Sequence, residues 1–235
     1  MKSNQLVAAT KAALIRLAGM SIFLFAVVSS AFAAEGEGVS LSFSSQDNLV
    51  LIISAILGAV GIGVAFSIRA SVLKEDRGSE SMQSVQQAIE DGARAYLRQQ
   101  IRMMIPFIGI LAVCLAGLYW GGLKANAVLV SASFILGVVS SYGSGFAGMM
   151  MAVNANARVA AAALTSSKKA LENAFRAGAV AGLVTVGVGL TFSALILLAF
   201  PAIATVLLVG YGFGGSLAAL FLRVGGGIFT KAADV

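Results

Sequence analysis

Apolar and ionic positions fall in long blocks along this chain: uncharged runs of twenty or more residues are punctuated by short basic clusters. A bilayer hydrocarbon core about 30 Å thick is crossed by about 20 apolar helical residues. Backbone polar groups in lipid must be paired within a segment, which selects helices. Leu49 to Ile68 is then the first span. Met103 to Leu123, bracketed by Arg102 and Lys124, is the second, with Pro106 expected in its first turn, where a missing N–H costs little. Ala125 to Ala157 is too long for one span, so its helix is expected to run beyond the bilayer at the Met149 to Arg158 end. The uncharged run between Arg176 and Arg223 accommodates two spans, with the turn at Phe200-Pro201. The pattern predicts an all-α, polytopic transmembrane helix bundle with five spans.

Residues before the first span read differently. Lys2, Lys11 and Arg16 precede an apolar stretch, Leu17 to Val28, that closes in Ser29-Ser30-Ala31-Phe32-Ala33-Ala34-Glu35. This is the three-part form of a secretory signal, and cleavage after Ala33 is expected because the apolar core is short for a span; the alternative is an uncleaved extra helix. Residues 1–33 are thus signal-peptide-like, 34–48 an exported polar segment and 49–235 the membrane region.

Charge sets the orientation. The loop 69–102 holds Arg69, Lys74, Arg77, Arg94, Arg98 and Arg102, and the loop 158–176 holds Arg158, Lys168, Lys169 and Arg176. The opposite connections hold Lys124 alone and, around Pro201, no charge. The basic loops are expected in the cytoplasm, giving a multi-pass protein of the cell inner membrane with an exported N-terminus. Within 69–102, Gly78 and Ser79 supply a break and an N-cap. Met82, Val85, Ile89, Ala93 and Tyr96 then form an apolar stripe at helical spacing, and Glu90 with Arg94 an i,i+4 pair.

Composition narrows the classes. The chain of 235 residues is 59% hydrophobic and 11% charged, against about 45–50% apolar and about 25% charged in soluble domains, which excludes an ordinary soluble domain. The net charge of +6 lies between apolar runs rather than in an aqueous patch, so it does not indicate nucleic acid. With no His and a single Cys, Cys114, both a His/Cys metal site and a disulfide framework fail by count. Small residues recur along the third to fifth spans at Ser141, Gly145 and Gly148, at Gly178 and Gly182, and at Gly210 and Gly214, a spacing that lets helices approach closely. The Gly210-to-Gly215 run lacks the preceding strand of a phosphate loop.

The C-terminal stretch Arg223-Val224-Gly225-Gly226-Gly227-Ile228-Phe229-Thr230-Lys231-Ala232-Ala233-Asp234-Val235 puts ionic residues on a helix that began as an apolar span. It is not a Walker A motif, because Phe229 and Thr230 precede Lys231 and no Ser or Thr follows it. Lys231 and Asp234 share a helix face, and Arg223 shares it two turns away. Two readings stand: a charged helix end lying in water, or an ion or anion pathway. Arg223 falls only about 22 residues after Pro201, near the edge of the hydrocarbon, and the triple glycine admits close neighbours.

The Gly225-to-Val235 run, preceded by Gly212-Phe213-Gly214 and by Ser216 to Arg223, resembles the fifth-helix signature of the membrane-bound, ion-pumping pyrophosphatases. Ala88-Ile89-Glu90-Asp91-Gly92-Ala93-Arg94-Ala95-Tyr96-Leu97, within Met82 to Gln99, resembles that family's first cytoplasmic segment. Asn154-Ala155-Asn156-Ala157-Arg158-Val159-Ala160 and Ala174-Phe175-Arg176-Ala177-Gly178-Ala179-Val180 resemble its third and fourth helices. The resemblance spans roughly Leu49 to Val235.

What the resemblance implies is the N-terminal part of a larger bundle of about 16 helices, working as a homodimer in membrane lipid. Such an enzyme hydrolyses inorganic pyrophosphate with Mg2+, with K+ as a further cofactor in some members, and moves protons or sodium ions out of the cytoplasm. Lys231 then matches the lysine that binds pyrophosphate, Asp234 a magnesium-binding aspartate and Arg223 the arginine of the ion gate. An ammonium suits a polyanion, a carboxylate suits a hard cation, and an intramembrane Arg marks a pathway. The family's water-activating carboxylates have no counterpart before Val235, so this chain is expected to be a fragment that is inactive alone. The competing readings are a small secondary transporter or channel subunit, and a structural membrane subunit.

Overall fold

The computed structural model describes residue 41 and residues 43–233, with side chains as far as residue 223 and not at residue 125. The signal-like segment at 1–33 lies outside the described residues, as do residues 34–40. The described residues form five long helices joined by short turns: α1 (Ser45–Leu73), α2 (Glu80–Leu123), α3 (Ala127–Ala163), α4 (Ser167–Ala199) and α5 (Ala204–Ala233), with a 3-10 turn at Lys124–Asn126. All five are long and apolar enough to cross a membrane. The expected turn at Pro201 is present, closed by the bond from Ile203 N–H to Phe200 O.

Local chemistry sets the helix ends. Ser44 caps α1 in a reciprocal box: its hydroxyl accepts from Asp47 N–H and the Asp47 carboxylate accepts from Ser44 N–H at 2.9 Å. Gly78 turns the chain at φ +77°, and Ser79 then caps α2 by accepting from Met82 N–H.

The polar connections are much shorter than the basic loops. α1 continues to Leu73 and α2 begins at Glu80, so most of 69–102 is helix; α3 continues to Ala163 and α4 begins at Ser167, so most of 158–176 is helix too. Pro106 is therefore not in a first turn. It sits deep inside α2, because Arg102 marks where the apolar run begins rather than where the helix begins. The buried face of the polar half of α2 also departs from the expected stripe. Gln86, Glu90, Ala93 and Leu97 are buried, whereas Val85 is 57% exposed, since the α3 surface opposite presents the polar Asn154. The Glu90–Arg94 pair forms, at 2.6 Å.

α3 is the hub: 44% of its span is buried in the bundle, against 11% for α1 and α2. α2, α4 and α5 all pack on it, and α1 packs chiefly on α4. Phe134, Val138, Met104, Ala112 and Ala218 form the core between α2, α3 and α5, while Ala65, Val72, Met151, Ala177 and Val180 form that between α1, α3 and α4. Serine and tyrosine hydroxyls tie the helices across these contacts: Ser131 donates to Ala112 O at 2.7 Å, Ser133 to Leu207 O and Tyr142 to Leu97 O at 2.9 Å.

Candidate functional site

α5 carries the sequence-predicted site, and its seat on α3 is made by glycine. A Cβ placed on Gly214 would overlap the Phe134 carbonyl oxygen and lie 2.9 Å from that carbonyl carbon and 3.0 Å from Val138 N. One on Gly137 would overlap Tyr211 O, and one on Gly210 would lie 2.9 Å from Val130 O. The two backbones therefore touch along Gly210 and Gly214, as the four-residue spacing predicts. Gly145 receives the Leu222 side chain, and Gly148 faces Ala181. Gly178 and Gly182 meet nothing within 4 Å and are exposed, so they do not serve as a packing seam among the described residues. The sequence reading missed a second seam: a Cβ on Gly58 of α1 would lie 2.7 Å from Gly187 O of α4, and one on Gly187 would lie 2.6 Å from Gly58 O.

The helix of α5 continues through Gly225-Gly226-Gly227 to Ala233. Arg223 is exposed on it, and the Lys231 backbone lies about 12 Å further along the same face. Asp234 lies outside the described residues. Among the described residues no three His, Cys, Asp or Glu side chains gather, so these residues do not by themselves build a magnesium site. Beside α5, a cavity of about 540 Å³ opens between α3, α4 and α5, lined by small and hydroxyl-bearing residues that include Ser140, Ser144, Thr185 and Ser216.

A second polar cluster, which the sequence reading treated as loop charge, sits at the same membrane end. Arg158 of α3 is buried at 5% exposure. Its Nη1 donates to Asn154 O and its Nη2 to Leu73 O, the last residue of α1, at 3.0 Å. Asn154 Oδ1 accepts in turn from Gln86 Nε2 of α2 at 3.3 Å. Lys169 at the start of α4 pairs with Glu75 at 2.9 Å; that hydrogen bond, then the carboxylate charge, holds the Lys169 ammonium above the usual lysine range. The ends of all four of these helices are thus fastened together by polar contacts. Periodicity alone could not have found the contacts Gln86–Asn154, Arg158–Leu73 and Lys169–Glu75, because the partners are far apart in sequence.

Fold and site together define a multi-pass membrane protein whose helices touch backbone to backbone at glycines and which presents a cationic, glycine-rich helix end on its basic side. A family model described as inorganic H+ pyrophosphatase matches residues 59–235, and the chain belongs to that family. Curated relatives named K(+)-insensitive pyrophosphate-energized proton pump include one from Chloroflexus aurantiacus, 44% identical over 196 residues that cover 77% of this chain and 25% of the relative. Another, from Methanosarcina mazei, is 39% identical over 180 residues covering 77% of this chain and 26% of the relative. A pump from Moorella thermoacetica, bearing the same name with the numeral 2, is 43% identical over 183 residues covering 76% and 26%. The chain spans about a quarter of the length of the curated relatives it matches.

Proposed function

We propose that this chain supplies about a quarter of a membrane pyrophosphatase that couples magnesium-dependent hydrolysis of inorganic pyrophosphate to the export of protons, working as a homodimer in the inner membrane. The observation that carries the reading is the extent of the family match. It runs through residue 235 and so includes the whole Gly225-to-Val235 stretch. The relatives' names favour protons over sodium and a pump that does not require potassium.

Within that reading, Lys231 holds a phosphoryl oxygen through a charge-assisted hydrogen bond. Asp234 is one carboxylate of a magnesium site whose other ligands come from outside this chain. Arg223, two turns toward the membrane, supplies the fixed positive charge of the ion gate. The backbone contact at Gly214 sets the register of α5 on α3, and Arg223 and Lys231 follow on the same helix. The basic ends of α1 to α4 face the cytoplasm. Residues 1–235 alone, with Asp234 as the only carboxylate assigned to metal, do not hydrolyse pyrophosphate.

The test uses inverted membrane vesicles from cells expressing the gene at its genomic length. Added pyrophosphate with magnesium should acidify the lumen, and an uncoupler should collapse the gradient. Vesicles that contain the protein yet build no pyrophosphate-dependent pH gradient would overturn the reading.

A further inference from the structure

The basic junction at the end of α1 holds more positive charge than its own carboxylates match. Lys169 is paired with Glu75, Arg176 with Glu172, and Asp76 accepts from Gly78 N–H. Lys74, Arg77 and Arg158 have no carboxylate within ion-pair distance among the described residues. Arg158 is the unusual one: it is almost wholly buried, its two Nη groups are spent on backbone carbonyls, and its Nε is buried without a partner. The end of α1 at Leu73 O offers it roughly half an elementary charge of helix-dipole compensation. Arg77, four residues beyond Leu73, acts on it as a like charge. A buried guanidinium in this state calls for an anion nearby.

Depth and position say which anion. Leu73 lies five residues past Ile68, the end of the apolar run, which is about 7 Å along the helix. The polar headgroup layer on each side of the hydrocarbon is about 5–7 Å thick. Arg158, bonded to Leu73 O, therefore sits at the level of lipid phosphates, and Arg77 is near enough to it to act as a like charge. Only 11% of the α1 span is buried among the described residues, with Leu49, Val50, Ile56, Leu57, Val60 and Phe66 exposed along it and Lys74 and Arg77 exposed at its end.

We propose that the α1–α3 junction is a binding site for the phosphate of an anionic phospholipid. Lys74 and Arg77 make the direct contacts, and Arg158 is the buried charge that fixes the site. The lipid would lie along the apolar face of α1, its headgroup closing over the turn 74–79. The site does not depend on the pump reading.

Lipid retention by the protein in a neutral detergent, measured by native mass spectrometry, tests this. Phosphatidylglycerol should be retained and phosphatidylcholine should not. Lys74→Ala with Arg77→Ala, both at exposed positions, should weaken phosphatidylglycerol retention by about fivefold for each charge removed. Arg98→Ala with Arg102→Ala, exposed basic residues of α2, should leave it unchanged. Equal retention of the two lipids, equal loss in the Arg98/Arg102 pair, or binding of inorganic phosphate in place of phosphatidylglycerol would each overturn the proposal.

Discussion

Replacing Gly214 by Ala asks whether the α3–α5 contact is as intimate as it looks. The added methyl would overlap the Phe134 carbonyl oxygen and start 2.9 Å from its carbon, where ordinary contact begins near 3.4 Å. α5 would have to retreat by about half an ångström at the carbon and more at the oxygen. Both colliding groups are backbone, so no rotamer change relieves them, and the cost belongs at the upper part of the usual overpacking range, about 3 kcal/mol. Ala gains about 0.8–1 kcal/mol over Gly in a helix, which offsets part of this. The net expectation is a loss of about 2 kcal/mol. Gly212, one residue pair away on the same helix, has nothing within 4 Å of its would-be Cβ, so Gly212→Ala should collect the propensity gain alone. Reversible unfolding in mixed detergent micelles with increasing SDS should therefore separate the two variants by about 3 kcal/mol, with wild type between them. If Gly214→Ala is as stable as Gly212→Ala, the backbone contact does not exist as described.

Cysteines placed at Ser84 or Ser167 should react with an impermeant reagent only from the cytoplasmic side, and one at Ser44 only from outside; Gln86 would be a poor probe because it is buried. In the protein at its genomic length, Lys231→Ala should weaken pyrophosphate binding by about 1.5–3 kcal/mol at any magnesium concentration. Asp234→Ala should raise the magnesium requirement. Arg223→Ala should impair pumping more than binding; a single shared defect in all three would return the helix end to a packing role. Lys169 titrates above its ordinary 10.5, so the tie to Glu75 is complete below that pH and is lost as pH rises through the elevated value. Glu75→Gln should bring the Lys169 titration, followed by NMR, back toward 10.5, and an unchanged curve would deny the pairing.

The spans were legible because ionic residues mark most exits from the bilayer and Pro201 marks the uncharged one between α4 and α5. The same punctuation misplaced Pro106, since charge marks the membrane edge and is silent about a helix that continues through it. Gly210 and Gly214 were legible as a seam. Gly178 and Gly182 have the same spacing and meet nothing within 4 Å among the described residues, while Gly187 with Thr191, four residues on, packs tightly against Gly58, because spacing alone does not say which such pair meets a complementary helix. The burial of Gln86 and Arg158 could not be read for a related reason: their partners, Asn154 and Leu73, are brought near only by the fold. Spacing put Lys231 and Asp234 on one helix face but left a charged helix end lying in water as an open reading; family likeness supplied their expected roles.

That α1 packs on α4, and that α1 and α2 do not pack on each other among the described residues, has a bearing on how the protein is made. At about 5–20 residues per second of synthesis, the interval between completing α1 and completing α4 is roughly 6–25 s. During that time Gly58 has no Gly187 to meet and Ala55 O has no Thr191 hydroxyl. α1 must therefore wait in the membrane with its packing surface against lipid or a membrane chaperone. Mutations along the Gly58–Gly187 contact should show themselves first as slow assembly and turnover by membrane proteases, before any change in the finished molecule.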